Sequence, residues 1–167
     1  IDFENINNNS YLLTNQFKIR ARETKIPDIA LFVNGIPLVI GEVKTPVRPA
    51  VSWLDGAHDI HAIYEHAVPQ LFVPYVLSFA TEGKELFIGG VRTPLECWSP
   101  WRLEDEHDVL QHVAGLQDIA KQLTHLLNPS TLLDILQYFT IYATNNNKKK
   151  IKIVCRYQQY EGAIAIV

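Results

Sequence analysis

A short stretch, residues 27–44, constrains the fold of this chain more than any other feature of its sequence. Two apolar segments flank an Asn-Gly dipeptide at positions 34–35. Such a dipeptide between apolar, β-prone segments is the strongest short-range signal for a β-hairpin with a two-residue turn. The ionisable residues of the stretch are Asp28, Glu42 and Lys44. The predicted hairpin therefore gathers two carboxylates and one ammonium at its open end.

The pairing register of the hairpin decides whether the two carboxylates can act together. A regular two-residue turn pairs Val33 with Ile36 and places Asp28 opposite Gly41. Glu42 then points to the other face of the hairpin, because a one-residue change of register reverses the direction of a side chain. A shared metal ion therefore requires a one-residue shift. We expect it from a bulge at Gly41 or from a three-residue loop that ends at Ile36.

The charged end of the hairpin fits two arrangements. Asp28 and Glu42 can hold a hard divalent cation such as Mg²⁺, with the backbone carbonyl of Val43 as a third ligand. Such an ion stabilises charge on a phosphodiester, and Lys44, on the same strand face as Glu42, can orient water or neutralise the phosphate. The alternative is a structural ion pair of Lys44 with one of the carboxylates. From spacing alone, this alternative is the more common arrangement.

Periodicity in the rest of the first hundred residues predicts an α/β fold. Residues 53–66 carry apolar side chains at three- and four-residue intervals, which indicates an amphipathic helix. Residues 75–79 and 85–91 are predicted as strands, and residues 17–20 as an edge strand. A helix between strands, next to a hairpin, indicates a mixed sheet that is flanked by helices.

The later part of the chain is predicted to be largely helical. One apolar stripe runs from Val109 to Leu123, with Asp105 and Glu106 near its start, and a second covers residues 132–139. Acidic residues near a helix start interact favourably with the helix dipole. These two stripes predict a helical hairpin.

Composition and charge exclude several classes of protein. The chain has 167 residues, of which 47% are hydrophobic and 20% are charged, so it is expected to fold. A net charge of −3 excludes a bulk basic nucleic-acid coat protein, and any DNA contact must be local. Cys97 and Cys155 are expected to be reduced thiols, and with no long apolar run we expect a cytoplasmic protein without a membrane partner. The chain begins at Ile1 and lacks methionine, so we expect a fragment of a larger protein.

The motif P-D, followed by E-V-K at positions 42–44, resembles the P-D…(D/E)-x-K signature of the restriction-endonuclease-like nuclease superfamily. The longer strings at 27–39 and 42–46 more closely resemble the amino-terminal nuclease domain of the R subunit of type I restriction enzymes. Residues 68–74 match a segment expected next in that family. Residues 150–160 resemble the junction into its ATP-driven translocase. The resemblance covers nearly the whole chain and favours a nuclease over a structural ion pair.

This resemblance implies a restriction-endonuclease-like mixed sheet followed by a helical linker region. It divides the chain into an endonuclease core (1–97), a helical linker or hairpin (98–147) and the start of a helicase-like motor (148–167). It implies Mg²⁺-dependent cleavage of double-stranded DNA, with methyltransferase and specificity subunits as partners and ATP bound only by the motor. The implied catalytic residues are Asp28, Glu42, Lys44 and Tyr64, and the implied metal ligands are Asp28, Glu42 and the carbonyl of Val43.

One position departs from the family pattern. The family carries a Q-x-x-x-Y motif on the helix after the catalytic lysine, and Tyr64 fits its tyrosine. Ile60 occupies the glutamine position, between Asp59 and His61. Either a neighbour performs the glutamine's role or the spacing differs in this subgroup. His58 and His61 have no third ligand at a useful spacing, so solvated helix histidines are favoured over a metal pair.

Two alternative functions stay open at this stage. One is a related nuclease of a DNA-repair helicase–nuclease, and the other is a non-catalytic docking module with a nuclease fold. A docking module has no reason to keep the complete set of Asp28, Glu42 and Lys44. Trp98 and Trp101 could stack on bases, but packing is the favoured interpretation. Without a G-x-x-x-x-G-K-[ST] loop, the chain is not expected to hydrolyse ATP.

Overall fold

The computed structural model describes residues 1–48, 50–103, 115–145 and 148–166. The strands are β1 (Tyr11–Asn15), β2 (Ile19–Arg20), β3 (Thr24–Lys25), β4 (Ile29–Val33), β5 (Ile36–Val43), β6 (Leu77–Thr81), β7 (Leu86–Gly89), β8 (Ser99–Pro100), β9 (Thr140–Thr144) and β10 (Lys150–Val154). The helices are α1 (Trp53–His58), a π-helical turn (Asp59–Tyr64), α2 (Glu65–Ala67), α3 (Leu116–Leu126), α4 (Pro129–Tyr138) and α5 (Tyr157–Ile164).

Six strands form one mixed sheet in the order β1-β4-β5-β6-β7-β8. Strands β5 and β6 are parallel, and the other neighbouring pairs are antiparallel. The connection between β5 and β6 carries the helical residues 53–67 across one face of the sheet. Helices α3, α4 and α5 supply side chains to the core on the opposite face. The predicted α/β fold, a mixed sheet flanked by helices, is confirmed.

The predicted edge strand at residues 17–20 is confirmed only at Ile19–Arg20, and it does not belong to the main sheet. The edge of the main sheet is β1, and β2 pairs only with β3 in a separate two-stranded sheet. Gln16 has a φ of 48°, in the left-handed region, so the chain changes direction directly after β1. The alternating pattern at residues 17–20 therefore belongs to this small second sheet.

The hairpin of β4 and β5 turns where the Asn-Gly dipeptide predicts. Asn34 and Gly35 have φ angles of 52° and 76°, as a type I′ turn requires at its two central residues. Val33 consequently pairs with Ile36 at the base of the turn. The predicted two-residue turn is confirmed.

A β-bulge shifts the register directly after this turn. Phe32 pairs with Pro37, but the next residue, Leu31, pairs with Val39, which leaves Leu38 as an extra residue in β5. Because proline lacks an N–H group, proline within a sheet is typically found at bulges or on edge strands. The required one-residue shift is confirmed. The shift comes neither from a bulge at Gly41 nor from a three-residue loop that ends at Ile36, which were the two predicted causes.

The hydrophobic core consists of two clusters, one on each face of the sheet. The first includes Leu77, Phe79 and Trp101 together with side chains of α3, α4 and α5. The second lies under residues 53–67 and includes Ile60 and Trp98. Trp101 is 0% exposed and Trp98 is 6% exposed, so the interpretation of both indoles as packing residues is confirmed.

The predicted helix at residues 53–66 is confirmed as a helical run from α1 to α2. All its junction residues keep helical dihedral angles, and Val68, which precedes a proline, ends it with an extended φ of −132°. The predicted second helix of the later region is confirmed as α4, and α3 contains the end of the first apolar stripe. The first part of that stripe, with Asp105, Glu106, Val109 and Val113, lies outside the described residues.

The C-terminal residues are bound to the sheet by a buried lysine. Lys152 on β10 is 7% exposed, and its ammonium donates hydrogen bonds to the carbonyls of Val73, at 2.8 Å, and of Tyr75. Side chains from all three predicted segments pack in the first cluster, for example Leu77, Ile135 and Tyr160. The division into three domains itself stays a prediction. Among the described helices, none combines the length and apolarity that a membrane crossing needs.

We expect Gly41→Ala to destabilise the chain strongly. A Cβ at this position would overlap the ring of Phe79, which is fully buried and cannot move aside. Overpacking of this kind costs about 1–3 kcal/mol, which urea unfolding followed by circular dichroism would measure. Gly162→Ala is the matched control, because no atom lies within 4 Å and alanine favours the helix. Equal stability of the two variants would contradict the packing described here.

We expect the two free cysteines to differ in reactivity. Cys97 is exposed, whereas Cys155 is buried in the first cluster, where burial raises its pKa to about 11. Because the thiolate is the reactive form, the reaction of Cys155 should be slow at pH 8 and accelerate as the pH approaches that value. Labelling with a disulfide reagent at pH 8 should modify one thiol rapidly and the second only after unfolding in urea. Two rapid reactions would show that α5 is not packed on the sheet.

Candidate active site

The register shift brings the two carboxylates of the hairpin together. With Ile29 paired to Gly41, the next position along places Asp28 beside Glu42. The backbone N–H of Asp28 donates to Oε1 of Glu42 at 3.4 Å. Oδ2 of Asp28 accepts a hydrogen bond from the backbone N–H of Val43 at 2.9 Å. The end of β5 and the residue before β4 thus form one site.

The backbone of Val43 faces the same side as these carboxylates. The N–H of Lys44 donates to the carbonyl of Thr81 on β6 at 2.8 Å. Successive residues of a strand direct their backbone groups to opposite sides, so the N–H and carbonyl of Val43 point to the β4 side. The N–H already bonds Asp28 there. The Val43 carbonyl therefore lies where the sequence predicts a third metal ligand.

Lys44 connects the strand to the helical residues above the sheet. Its ammonium lies 3.3 Å from Oε2 of Glu42 and 2.5 Å from Oδ2 of Asp59. The Lys44 side chain is 24% exposed, whereas that of Glu42 is 4% exposed. The ammonium is therefore held between two carboxylates from different elements and still reaches solvent.

Close packing of α1 on the sheet makes these contacts possible. A Cβ on Gly56 would lie 3.0 Å from the Cβ of Glu42 and 3.3 Å from the Cβ of Ala80. The missing side chain lets the helix approach the strand at the position of Glu42. About two turns later, Tyr64 lies close enough to the Glu42 carboxylate for each side chain to affect the charge of the other. The predicted residues Asp28, Glu42, Lys44 and Tyr64 thus lie in one cluster.

The surroundings of Glu42 oppose its negative charge. Burial raises the pKa of Glu42, and the charge of Asp28 raises it further, while Lys44 and Tyr64 act in the opposite direction. Burial also disfavours the charge of Lys44, but its hydrogen bond to Asp59 and the charge of Glu42 outweigh this and raise the pKa of Lys44. Burial and the nearby Glu42 raise the pKa of Tyr64, so its hydroxyl keeps its proton and donates.

The residues of the cluster fit a divalent cation. Asp28, Glu42 and Asp59 contribute three carboxylates against the single positive charge of Lys44. Hard oxygen donors are the ligands that Mg²⁺ prefers, and the carboxylates of Asp28 and Glu42 lie side by side at the end of the hairpin. Across residues 1–48, 50–103, 115–145 and 148–166, no group of three or more His, Cys, Asp or Glu side chains is arranged to hold a metal. Two carboxylates with the Val43 carbonyl remain the candidate ligand set.

Several other candidates lie away from this cluster. Ile60 is fully buried in the second core cluster and presents no polar group to the site. His61 lies 3.9 Å from Glu65, and His58 is exposed on α1. Gln159, at the start of α5, accepts a hydrogen bond from the N–H of Arg156 and so caps that helix.

Asp59 is the residue of the cluster that the sequence did not assign. The sequence motif drew attention to Asp59, because this residue flanks the unexpected Ile60. The motif predicted no contact for its side chain. In a regular α-helix with 3.6 residues per turn, residues five apart lie roughly 140° from each other, so Asp59 and Tyr64 would not share a face. The π-helical turn between them changes that relationship.

Known proteins resemble this chain over most of its length. A sequence model of the family described as type I restriction enzyme R protein N terminus matches residues 1–96. The chain is 31% identical to the type I restriction enzyme HindI endonuclease subunit of Haemophilus influenzae, over 97% of its own length. It is 34% identical to a provisionally named type I restriction enzyme MjaVIIP endonuclease subunit of Methanocaldococcus jannaschii, over 96% of its length. The chain spans only 16% and 15% of the lengths of these relatives.

We expect Tyr64→Phe to lower the free energy of unfolding. The change removes the hydroxyl that favours the charged form of the buried Glu42 carboxylate, and a polar interaction of this kind contributes about 1 kcal/mol. Tyr138→Phe is the matched control, because the Tyr138 side chain is exposed on α4. Urea unfolding at neutral pH in the presence of EDTA measures both. If the two variants lose equal stability, the Tyr64–Glu42 bond has no measurable strength.

Proposed function

Because the chain belongs to the family of type I restriction enzyme R protein N termini, we propose that it is the endonuclease domain of such a protein. It cleaves phosphodiester bonds of double-stranded DNA and uses Mg²⁺ as its cofactor. One observation carries this proposal. The bulge at Leu38 brings Asp28 and Glu42 to one face of the hairpin, with the ammonium of Lys44 3.3 Å from Glu42.

Three groups of the chain would hold the ion, namely the carboxylates of Asp28 and Glu42 and the carbonyl of Val43. When bound, Mg²⁺ supplies positive charge next to a phosphodiester oxygen. The protein side chains keep this arrangement in place. Tyr64 donates to Glu42 and orients its carboxylate, and Val43 does the same for Asp28 through its N–H.

Lys44 acts on the reacting phosphate. Hydrolysis joins a water oxygen to phosphorus, breaks the bond to the leaving sugar oxygen and returns a proton to that oxygen. An ammonium has three N–H donors, and in Lys44 two of them face Glu42 and Asp59. The third is available to a phosphate oxygen or to the attacking water. Lys44 thereby orients the water or offsets the negative charge that grows on phosphorus.

The remaining activities belong to parts of the protein beyond this chain. The relatives are about six times longer, so the R protein has room for an ATP-driven motor that moves DNA to this site. Methyltransferase and specificity subunits would recognise and modify the sequence. The net charge of −3 supports this division of activities between subunits. A domain that does not itself recognise a DNA sequence needs only a small surface that contacts DNA phosphates. We place the complex in the cytoplasm.

We expect Asp28→Ala, Glu42→Ala and Lys44→Ala each to reduce DNA cleavage about a hundredfold or more in the intact R protein with its partner subunits. Each change removes a metal ligand or the ammonium, so charge on the phosphate is no longer stabilised. ATPase activity should remain, because the motor lies outside this chain. The measurement is conversion of circular plasmid DNA to linear DNA with Mg²⁺ and ATP.

Lys121→Ala is the matched control for this series. Lys121 is exposed on α3, in the layer on the other face of the sheet. It should cleave DNA at the rate of the unmodified protein. Unchanged cleavage by the three site variants would reject the nuclease assignment and leave the docking module as the explanation of the fold.

A further inference from the structure

The shortest polar contact of the cluster involves a residue outside the predicted catalytic set. Oδ2 of Asp59 lies 2.5 Å from the ammonium of Lys44, closer than Oε2 of Glu42 at 3.3 Å. Both charged groups are partly buried, with side-chain exposures of 32% for Asp59 and 24% for Lys44. A charge-assisted hydrogen bond of this length is among the stronger polar contacts in proteins.

The inference rests on the function proposed above. We propose that Asp59 is a positioning residue, which fixes the ammonium of Lys44 in the orientation needed for DNA cleavage. It supplies a polar contact from the helix where Ile60, at the glutamine position of the family motif, supplies none. Asp59 itself touches neither metal nor DNA in this role. It acts through Lys44.

The π-helical turn explains how Asp59 reaches the site. In this turn the N–H of Glu65 donates to the carbonyl of Ile60, five residues earlier, instead of four as in an α-helix. Residues five apart therefore stack on one face, and Asp59 and Tyr64 are five apart. Both accordingly point to the sheet side chains, Asp59 to Lys44 and Tyr64 to Glu42. In the family motif the glutamine and the tyrosine are four positions apart. With one additional residue in the turn, the corresponding polar residue and tyrosine of this chain are five positions apart.

The two carboxylates around Lys44 restrain it in different ways, because they belong to different elements of the fold. Glu42 belongs to the same strand as Lys44, so it moves with the backbone of the lysine. Asp59 belongs to the helix that packs on that strand, so it fixes the end of a long side chain with four rotatable bonds. A free lysine side chain populates many rotamers, and without Asp59 most of that freedom returns. Loss of orientation of about 1 Å can slow a reaction about a hundredfold.

The test compares Asp59→Ala and Asp59→Asn in the intact R protein with its partner subunits. Asp59→Ala should lower kcat for plasmid cleavage about 10- to 100-fold, with the KM for DNA and the Mg²⁺ concentration dependence changed by less than about twofold. Asp59→Asn keeps an oxygen acceptor at the same distance and should restore most of the loss. In a Lys44→Ala background, Asp59→Ala should cause no further loss, because its effect requires the lysine.

The controls separate this inference from the proposed function. Glu161→Gln removes a carboxylate that lies 3.6 Å from His125 on the opposite face of the sheet and should leave cleavage unchanged. Urea unfolding followed by circular dichroism, applied to this chain with each change, reports whether the variant is folded. If Lys44→Ala cleaves normally, the proposed function fails, and the role of Asp59 fails with it.

Other outcomes overturn the positioning role alone. If Lys44→Ala is inactive while Asp59→Ala has the unmodified kcat, Asp59 does not position the lysine. A changed Mg²⁺ dependence would make Asp59 a metal ligand. If Asp59→Ala is misfolded, the nearly isosteric Asp59→Asn decides, since we expect its kcat to fall about threefold. A normal kcat in that variant would then reject the role.

Discussion

The candidate site depends on one extra residue in β5. Across a hairpin with a two-residue turn, two residues lie opposite each other only if an odd number of positions separates them. Asp28 and Glu42 are 14 positions apart, so a regular ladder would direct them to opposite faces. The bulge at Leu38 changes this parity next to the turn. The shift determines the face of the sheet on which every later residue of β5 lies, including Gly41 against the ring of Phe79.

The sequence predicted the parts of the fold that local patterns determine. The Asn-Gly turn, the amphipathic helix after it and the mixed sheet were expected, and all are present. The need for a register shift also followed from the positions of Asp28 and Glu42 alone. Its location did not, because Gly41 carries a common bulge signal, whereas the bulge in the structure lies directly after Pro37. In the structure Gly41 instead serves close packing against Phe79.

The parts that sequence reasoning missed depend on tertiary contacts. Edge strand β1 has mostly exposed or half-buried residues, so it lacks the apolar alternation that marks a strand. The π-helical turn was not visible, because a helical pattern is interpreted with a period of 3.6 residues. No specific contact was therefore predicted for Asp59. A buried apolar residue, Ile60, at the expected position of a polar one was the single available sign of the different turn.

The site combines two pieces of chain that become ordered by different means. The hairpin closes over a short loop, and its contacts are local, whereas Asp59 and Tyr64 arrive only when the helix packs on the finished strand through Gly56. A chain in which only the hairpin has formed would carry Asp28, Glu42 and Lys44 without the groups that hold them. Local detachment of the helix would have the same effect in the folded protein. In a nuclease, the catalytic groups would therefore be held in place only while the helix is packed on the strand.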